Sequence, residues 1–418
     1  MQMDDSLPIS FRMASTGMRK CLVQLLLCVC SAGIMFAMSS PAQAQSGPPI
    51  KIGVIHSLTG GQAGIGVAAV NGAKAAVDYI NSRGGILGRP VEVVIRDSAT
   101  NTAQAATAAR ELAGDANVIA IFGSDLTGEV LASAPPISSR GMISMQSAVA
   151  GALYDPAQHC CFFLTGNTAD QLSEYYVSYL AKNRGAKKIG VIYEAGAFGQ
   201  ASVDATQRAL KAAGREPALS ESFQTGSADV SANLRKLRDA GVDGLVIHTY
   251  GPGLVAVITS LQRLQWVPAA TAPLGASAAS LKDAVGTDAL KNISAGPVPK
   301  TILAATEGGA LSDDAKGFLD SLRKIVGKDY KGDIIMSIFT FDKFVILKAA
   351  AEGAKSADPK AIREYLESGV PVKGVIGTYK FSKTNHIGLG IERFGAFNPA
   401  FDCSVQTGCV AAQGALNP

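Results

Sequence analysis

From residue 50 onward, short apolar runs of strand length alternate with longer segments of helical periodicity, and this alternation restricts the chain to α/β architectures built on parallel sheet. Residues 50–55 (IKIGVI), 91–96 (VEVVIR), 118–122 (VIAIF) and 142–145 read as strands. Between them lie a helix with Val70, Ala73, Val77 and Ile80 on one face, stopped by Gly84-Gly85, and helices at 102–113 and 127–139. A second series starts near Thr165. Its first helix carries Leu172, Tyr175, Tyr176 and Tyr179, its strands fall at 188–193, 219–223, 244–248 and just before Pro273, and its further helices fall at 199–213, 229–239 and 252–264. Past Pro299 come two long helices, near 311–326 and 336–353, a shorter one after Asp358-Pro359, a strand at 374–381 and a Gly-rich irregular tail. Two βα series imply two parallel sheets with right-handed crossovers, hence two lobes. Ligands of open α/β sheets sit beyond the carboxyl ends of the strands, so two facing edges make a cleft the expected site.

Composition removes other classes. The 418 residues suit two or three domains, and with 47% hydrophobic and 17% charged residues the chain buries large cores rather than remaining disordered. The net charge is +4, with no Lys/Arg block of the kind that marks a nucleic-acid surface, so no nucleic-acid partner is expected. Arg19-Lys20, the apolar run Cys21–Met38 and the A-x-A site within Pro41–Ala44 read as a signal peptide over residues 1–44, with its start at Met18 and cleavage after Ala44. Export to the periplasm follows as an expectation. An uncleaved anchor is the competing reading; no other segment is apolar for long enough to span a bilayer. Cleavage removes Cys21, Cys28 and Cys30 and leaves Cys160, Cys161, Cys403 and Cys409. Pairing of Cys403 with Cys409, or of either member of the first pair with one of the second, stays open, whereas adjacent Cys160 and Cys161 would close a strained ring.

Motifs for catalysis are missing. Gly275-Ala276-Ser277-Ala278-Ala279 lacks the last glycine of GxSxG, there is no HExxH or P-loop, and His56, His159, His248 and His386 are scattered. Gly64–Ala69 fits GxGxxA, but it begins about eight residues after its strand, too late for the tight turn a pyrophosphate needs. The Gly-rich loop Ser57–Gly66 instead lets backbone approach a ligand or the other lobe. No catalytic residue, cofactor or metal is expected. The ligand candidates sit at strand ends. Ser124-Asp125-Leu126-Thr127 opens a helix whose free N–H groups, with the Thr127 hydroxyl, suit a carboxylate; ordinary capping is the plain alternative. Gln146, Ser147 and Ala148 follow the next strand, and Phe198 and Tyr250 occupy the matching edge of the second lobe. His56 and His248 also lie at strand ends.

The stretches IKIGVIHSLTGGQAGIG, NGAKAAVDYINSRGGILGRPVEVVIRDSATN, AKKIGVIYEAGAFGQ and LRKLRDAGVDGLVI resemble the periplasmic binding proteins of the branched-chain amino acid type, which serve ABC importers. The resemblance covers nearly the whole mature chain. It implies the type I, Venus-flytrap fold, with one lobe formed by 45–165 plus 296–372, the other by 166–295 plus 373–418, and crossings near 164–166, 294–298 and 370–374. It also implies hinge closure on a small ligand and delivery to an inner-membrane permease. On this resemblance Thr127 matches the hydroxyl residue that holds a ligand carboxylate. Residues 146–150 match the segment after the next strand that also holds it, with Val149 or Ala150 where a Thr is usual. Phe198 and Tyr250 match aromatic walls, and Ile65 replaces an aromatic. Leu274 stands where the family's amino-acid binders carry the acid that pairs with the ligand ammonium. Burying an ammonium with no counter-charge costs several kcal/mol, so the expected ligand is an aromatic or aliphatic carboxylate without an α-amino group. Asp125, Glu129 and Asp170 remain as displaced acids for an ordinary branched-chain amino acid. A ligand sensor serving a separate receptor and an exported enzyme are further alternatives.

Overall fold

The computed structural model describes residues 47–273, 279–303, 311–401, 403–409 and 411–412. The expected signal segment and Leu274 lie outside them. Among the described residues no helix is long and apolar enough to cross a membrane.

The first lobe alternates β1 (Ile50–His56), α1 (Ala63–Asn81), β2 (Val91–Asp97), α2 (Thr102–Gly114), β3 (Val118–Gly123), α3 (Thr127–Ser138), β4 (Ser144–Gln146) and β5 (Phe162–Leu164). Strands β2, β1 and β3 pair in that order, all parallel, with β1 and β2 in register from Ile50 against Val91 to His56 against Asp97. A parallel bridge from Ala120 to Ile143 brings the β4–β5 pair alongside β3. Apolar side chains of β1 are buried on both faces, as a strand covered by helices on both sides requires. The helix α1 begins at Ala63, inside the expected Gly-rich loop, so Gly64–Ala69 is helix rather than a phosphate-binding turn. A Cβ on Gly66 would meet the Ser57 carbonyl oxygen at 2.0 Å, so the glycine is there for contact between helix and strand end.

The second lobe follows with α4 (Ala169–Ser178), β6 (Ile189–Glu194), α5 (Ala197–Ala212), β7 (Ser220–Phe223), α6 (Ser231–Asp239), β8 (Gly244–His248), α7 (Pro252–Arg263), β9 (Ala269–Ala272), α8 (Ala279–Val285), α9 (Thr287–Leu290) and β10 (Ile293–Pro299). The chain returns to the first lobe through α10 (Asp313–Val326), α11 (Ile334–Ala354) and α12 (Pro359–Glu367), and closes with β11 (Val372–Lys373), β12 (Thr378–Tyr379) and β13 (Phe394–Phe397). The second sheet runs β13-β10-β9-β8-β6-β7, parallel except for the antiparallel edge strand β13.

Two expectations need correction. The strand read at 374–381 is a turn between two short antiparallel strands, because the Asp342 carboxylate accepts from the Val375 and Ile376 amides and holds the residues between them. The third crossing does not fall at 370–374. Ile387 still bridges to Leu164 beside β5, and the chain joins the second sheet only at β13. The tail is tied down as well. Cys403 and Cys409 are disulfide-bonded with Cα atoms 4.1 Å apart, while Cys160 and Cys161 are free thiols.

The helix α11 is buried nearly all round and lies against α1. Their closest approach is at Gly72, where a Cβ would sit 2.1 Å from the Ser337 carbonyl oxygen; one helical turn away the Ser337 hydroxyl donates to the Ala68 carbonyl at 2.8 Å. Backbone cannot yield as a side-chain tip would. Gly72→Ala is expected to force the helices apart and destabilise the fold by about 1–3 kcal/mol, measured by urea unfolding.

Candidate ligand-binding site

The carboxyl ends of the two sheets face each other across a cavity of about 80 Å³. The first lobe supplies Ile65, Asp125, Leu126, Ser147 and Val149; the second supplies Leu172, Phe198, Tyr250 and Pro273; the crossing at Gly166-Asn167, Pro297 of β10, and Met336 and Phe339 of α11 complete the wall. The lining is chiefly apolar, with a few polar groups, the usual make-up of a small-molecule site.

The polar groups are placed by short-range rules. Leu126, the residue before α3, has no side chain able to cap the helix, so the first turn keeps its amide donors. Among the described residues, no backbone acceptor is taken by the amides of Thr127 and Gly128. Among the described residues, neither the buried Thr127 hydroxyl nor Asn167 Nδ2 has a hydrogen-bond partner. Buried polar atoms are rarely left so; Asn167 lines the cavity, and Thr127 follows Leu126, which lines it as well. Together with the positive end of the helix they form a seat for an anion.

The acids near this seat are already compensated. Asp125 accepts from Lys343 Nζ at 2.8 Å, with Lys343 fully buried on α11. Burial alone would push the Asp125 carboxyl up, but the Lys343 ammonium, with His56 and Ser147, holds it below the ordinary carboxylate range. His56 Nδ1 lies 4.0 Å from Asp125, and burial lowers this imidazole to about 4, so it is neutral. Glu129 accepts from three serine hydroxyls, Ser57 at 3.1 Å, Ser98 at 2.8 Å and Ser124 at 2.5 Å. Asp170 is exposed and bonded to Arg208 at 2.6 Å. In the second lobe Glu194 accepts from Thr249 at 2.5 Å. Burial, then Glu194, Glu129 and Asp125, push the Tyr250 phenol up, so it is a neutral hydrogen-bond donor. Its ring lies 4.9 Å from that of Phe198, at 51°.

Of the residues expected to meet ligand, Ile65, Ser147, Phe198 and Tyr250 line the cavity, and Thr127 opens α3 beside it. Gln146 and Ala148 do not line it. The Gln146 amide donates to Ser144 at 2.7 Å within the first lobe, and the buried Ala148 turns its carbonyl to the Tyr154 hydroxyl at 2.5 Å. In a strand-end segment alternate residues face opposite ways, and here Ser147 and Val149 face the cleft. His248 is bonded to Thr206 at 2.8 Å and buried behind Phe198 rather than exposed in the cleft. Asn167, Met336 and Phe339 escaped sequence reading; of these only Asn167, next to an expected crossing, carried a signal.

Comparison with known proteins agrees with this architecture. Residues 49–390 match the periplasmic binding protein family. The chain is 30% identical over 183 residues to Leu/Ile/Val-binding protein homolog 3 of Brucella melitensis biotype 1, a match covering 44% of this chain and 50% of that protein, so the chain spans about half the length of that curated relative. The branched-chain amino acid transporter substrate binding protein LivJ of Streptococcus pneumoniae, solved with isoleucine, superposes with a TM-score of 0.71 at 21% identity, over 87% of this chain and 99% of that one. A fatty acid ABC transporter substrate-binding protein from Thermomonospora curvata superposes with a TM-score of 0.73 at 19% identity, over 90% and 94%. The chain therefore belongs to the periplasmic binding protein family.

Proposed function

We propose that the chain is the exported solute-binding component of an ABC importer and closes its lobes on a small aromatic or aliphatic carboxylate without an α-amino group. One observation carries this reading. The start of α3 keeps a buried hydroxyl, Thr127, with no hydrogen-bond partner among the described residues, whereas Asp125, Glu129 and Asp170 are each engaged by a cation or by hydroxyls. The one acid among the described residues that line this cavity is Asp125; its Oδ2 accepts no hydrogen bond, but Lys343 already balances its charge, so it would offset the desolvation of an entering ammonium only in part. A branched-chain amino acid is the second reading, favoured by the isoleucine bound to the structural relative LivJ. It would draw on Glu194, which carries one hydroxyl donor but does not line the cavity.

Calorimetric titration with benzoate, butyrate, octanoate and leucine tests the proposal. Carboxylates are expected to bind and leucine to bind at least about tenfold more weakly. Tight leucine binding overturns the reading. Thr127→Val removes a charge-assisted hydrogen bond at constant shape and is expected to lower carboxylate affinity about tenfold or more, with folding unchanged.

A further inference from the structure

A second and larger chamber adjoins the first. It has a volume of about 540 Å³ and opens toward the outer edge of the cleft. Three elements line both chambers. Ile65 touches each of them; Tyr250 faces the inner chamber and Gly251 the outer; Met336 faces the inner and Asp333, one turn earlier at the start of α11, the outer. The two chambers therefore meet at Ile65. The outer chamber is wide because the strand ends and loops around it are rich in glycine, and Val255 and Thr259 of α7 form its floor. Its one acidic residue, Asp333, is turned to the Ile335 and Met336 amides at 2.8 and 3.1 Å. The surroundings suit an uncharged, largely apolar group.

We infer that the ligand spans both chambers, with its carboxylate at the start of α3 and an extended apolar tail running past Ile65 into the outer chamber. This rests on the carboxylate reading above and adds the length of the ligand. The volumes decide it. Pockets that enclose organic ligands hold about 300–1,000 Å³. The inner chamber, at about 80 Å³, has room for a head group and little more, whereas the outer chamber supplies the remainder. Leu172, Phe198 and Pro297 line the inner chamber alone, whereas Ile65 lines both, so a tail passing Ile65 enters the outer chamber.

Calorimetric titration with straight-chain acids from butyrate to octanoate tests this on the full mature protein. Octanoate is expected to bind about tenfold or more tighter than butyrate, because each added methylene is buried. Thr259→Phe, which fills the outer chamber from the half-buried wall of α7, is expected to abolish that preference and leave butyrate affinity unchanged. Ala228→Trp, at the exposed rim of the same chamber, is expected to do likewise should the first variant fold poorly. Equal affinity across the series, or equal losses for butyrate and octanoate in both variants, overturns the inference while leaving the carboxylate reading intact. Failure of every acid to bind, with leucine binding tightly, overturns both.

Discussion

Lys343→Met is expected to destabilise the protein by about 3–5 kcal/mol, as judged by chemical unfolding, and to lower carboxylate affinity about tenfold or more. The ammonium is fully buried and donates to Asp125 at 2.8 Å. Taking a lysine out of water is unfavourable by several kcal/mol; the contact with Asp125 offsets that loss and removing the lysine leaves an unpaired carboxyl in the same dry place. Asp125 lies two residues before Thr127, at the mouth of the anion seat. Without Lys343 its negative charge would repel the ligand carboxylate or force Asp125 to take a proton. The double variant Lys343→Met with Asp125→Asn separates these effects. It removes both charges at similar volume, and is expected to recover most of the stability and most of the carboxylate affinity. Recovery of stability without recovery of affinity would mean that Lys343 attracts the ligand directly instead of silencing Asp125.

The partnership of Lys343 and Asp125 also marks the limit of what the sequence reveals. The βα alternation was legible because strand and helix periods are local, and the observed β1, β2, β3, β6 and β8 fall within a residue or two of where apolar runs place them. Thr127 was legible as well, since a hydroxyl at a helix start has a local consequence. The ion pair was not, for its members are 218 residues apart and Lys343 sits in a helix that is buried nearly all round. An all-round apolar helix offers no preferred face, so nothing local marks Met336 and Phe339 as cavity walls or Lys343 as buried. Strand β5 escaped because three residues are too few to show a period. The turn misread as a strand at 374–381 has the same cause as the missed ion pair. GVIGTYKF carries strand-forming residues, and the feature that bends it is a carboxylate from α11.

That carboxylate, Asp342, is fully buried, and its replacement by alanine is expected to destabilise the fold by about 2–5 kcal/mol, because it would leave the Val375 and Ile376 amides without an acceptor. Its titration adds a pH dependence of a defined sign. Burial raises the Asp342 carboxyl from 3.8 to about 6 against the pull of Tyr379 and the two amides. The hydrogen bonds show how the protonated form is accommodated. The Tyr379 hydroxyl lies 2.7 Å from Asp342 Oδ2 and 3.1 Å from the Thr165 carbonyl, and it has one proton to give. Protonated Asp342 can donate to Tyr379, which then donates to Thr165 at the first crossing, so both acceptors are served; ionised Asp342 takes the tyrosine proton and leaves Thr165 without it. A carboxyl whose folded pKa lies above its unfolded value binds more protons when folded, so its contribution to stability declines as pH rises from about 4 to about 6 and is flat above. The span is about 3 kcal/mol. The buried His56 and His248, lowered to about 4 and about 3, act in the opposite sense, since unfolding lets them take protons below their ordinary range. The measurement is therefore a difference. Asparagine cannot ionise and can still donate to Tyr379, so the stability of Asp342→Asn relative to wild type is expected to rise by about 2 kcal/mol between pH 4 and pH 7 in urea titrations. A difference that stays constant across that range would show that Asp342 is ionised throughout and that Tyr379 holds it permanently at the expense of Thr165.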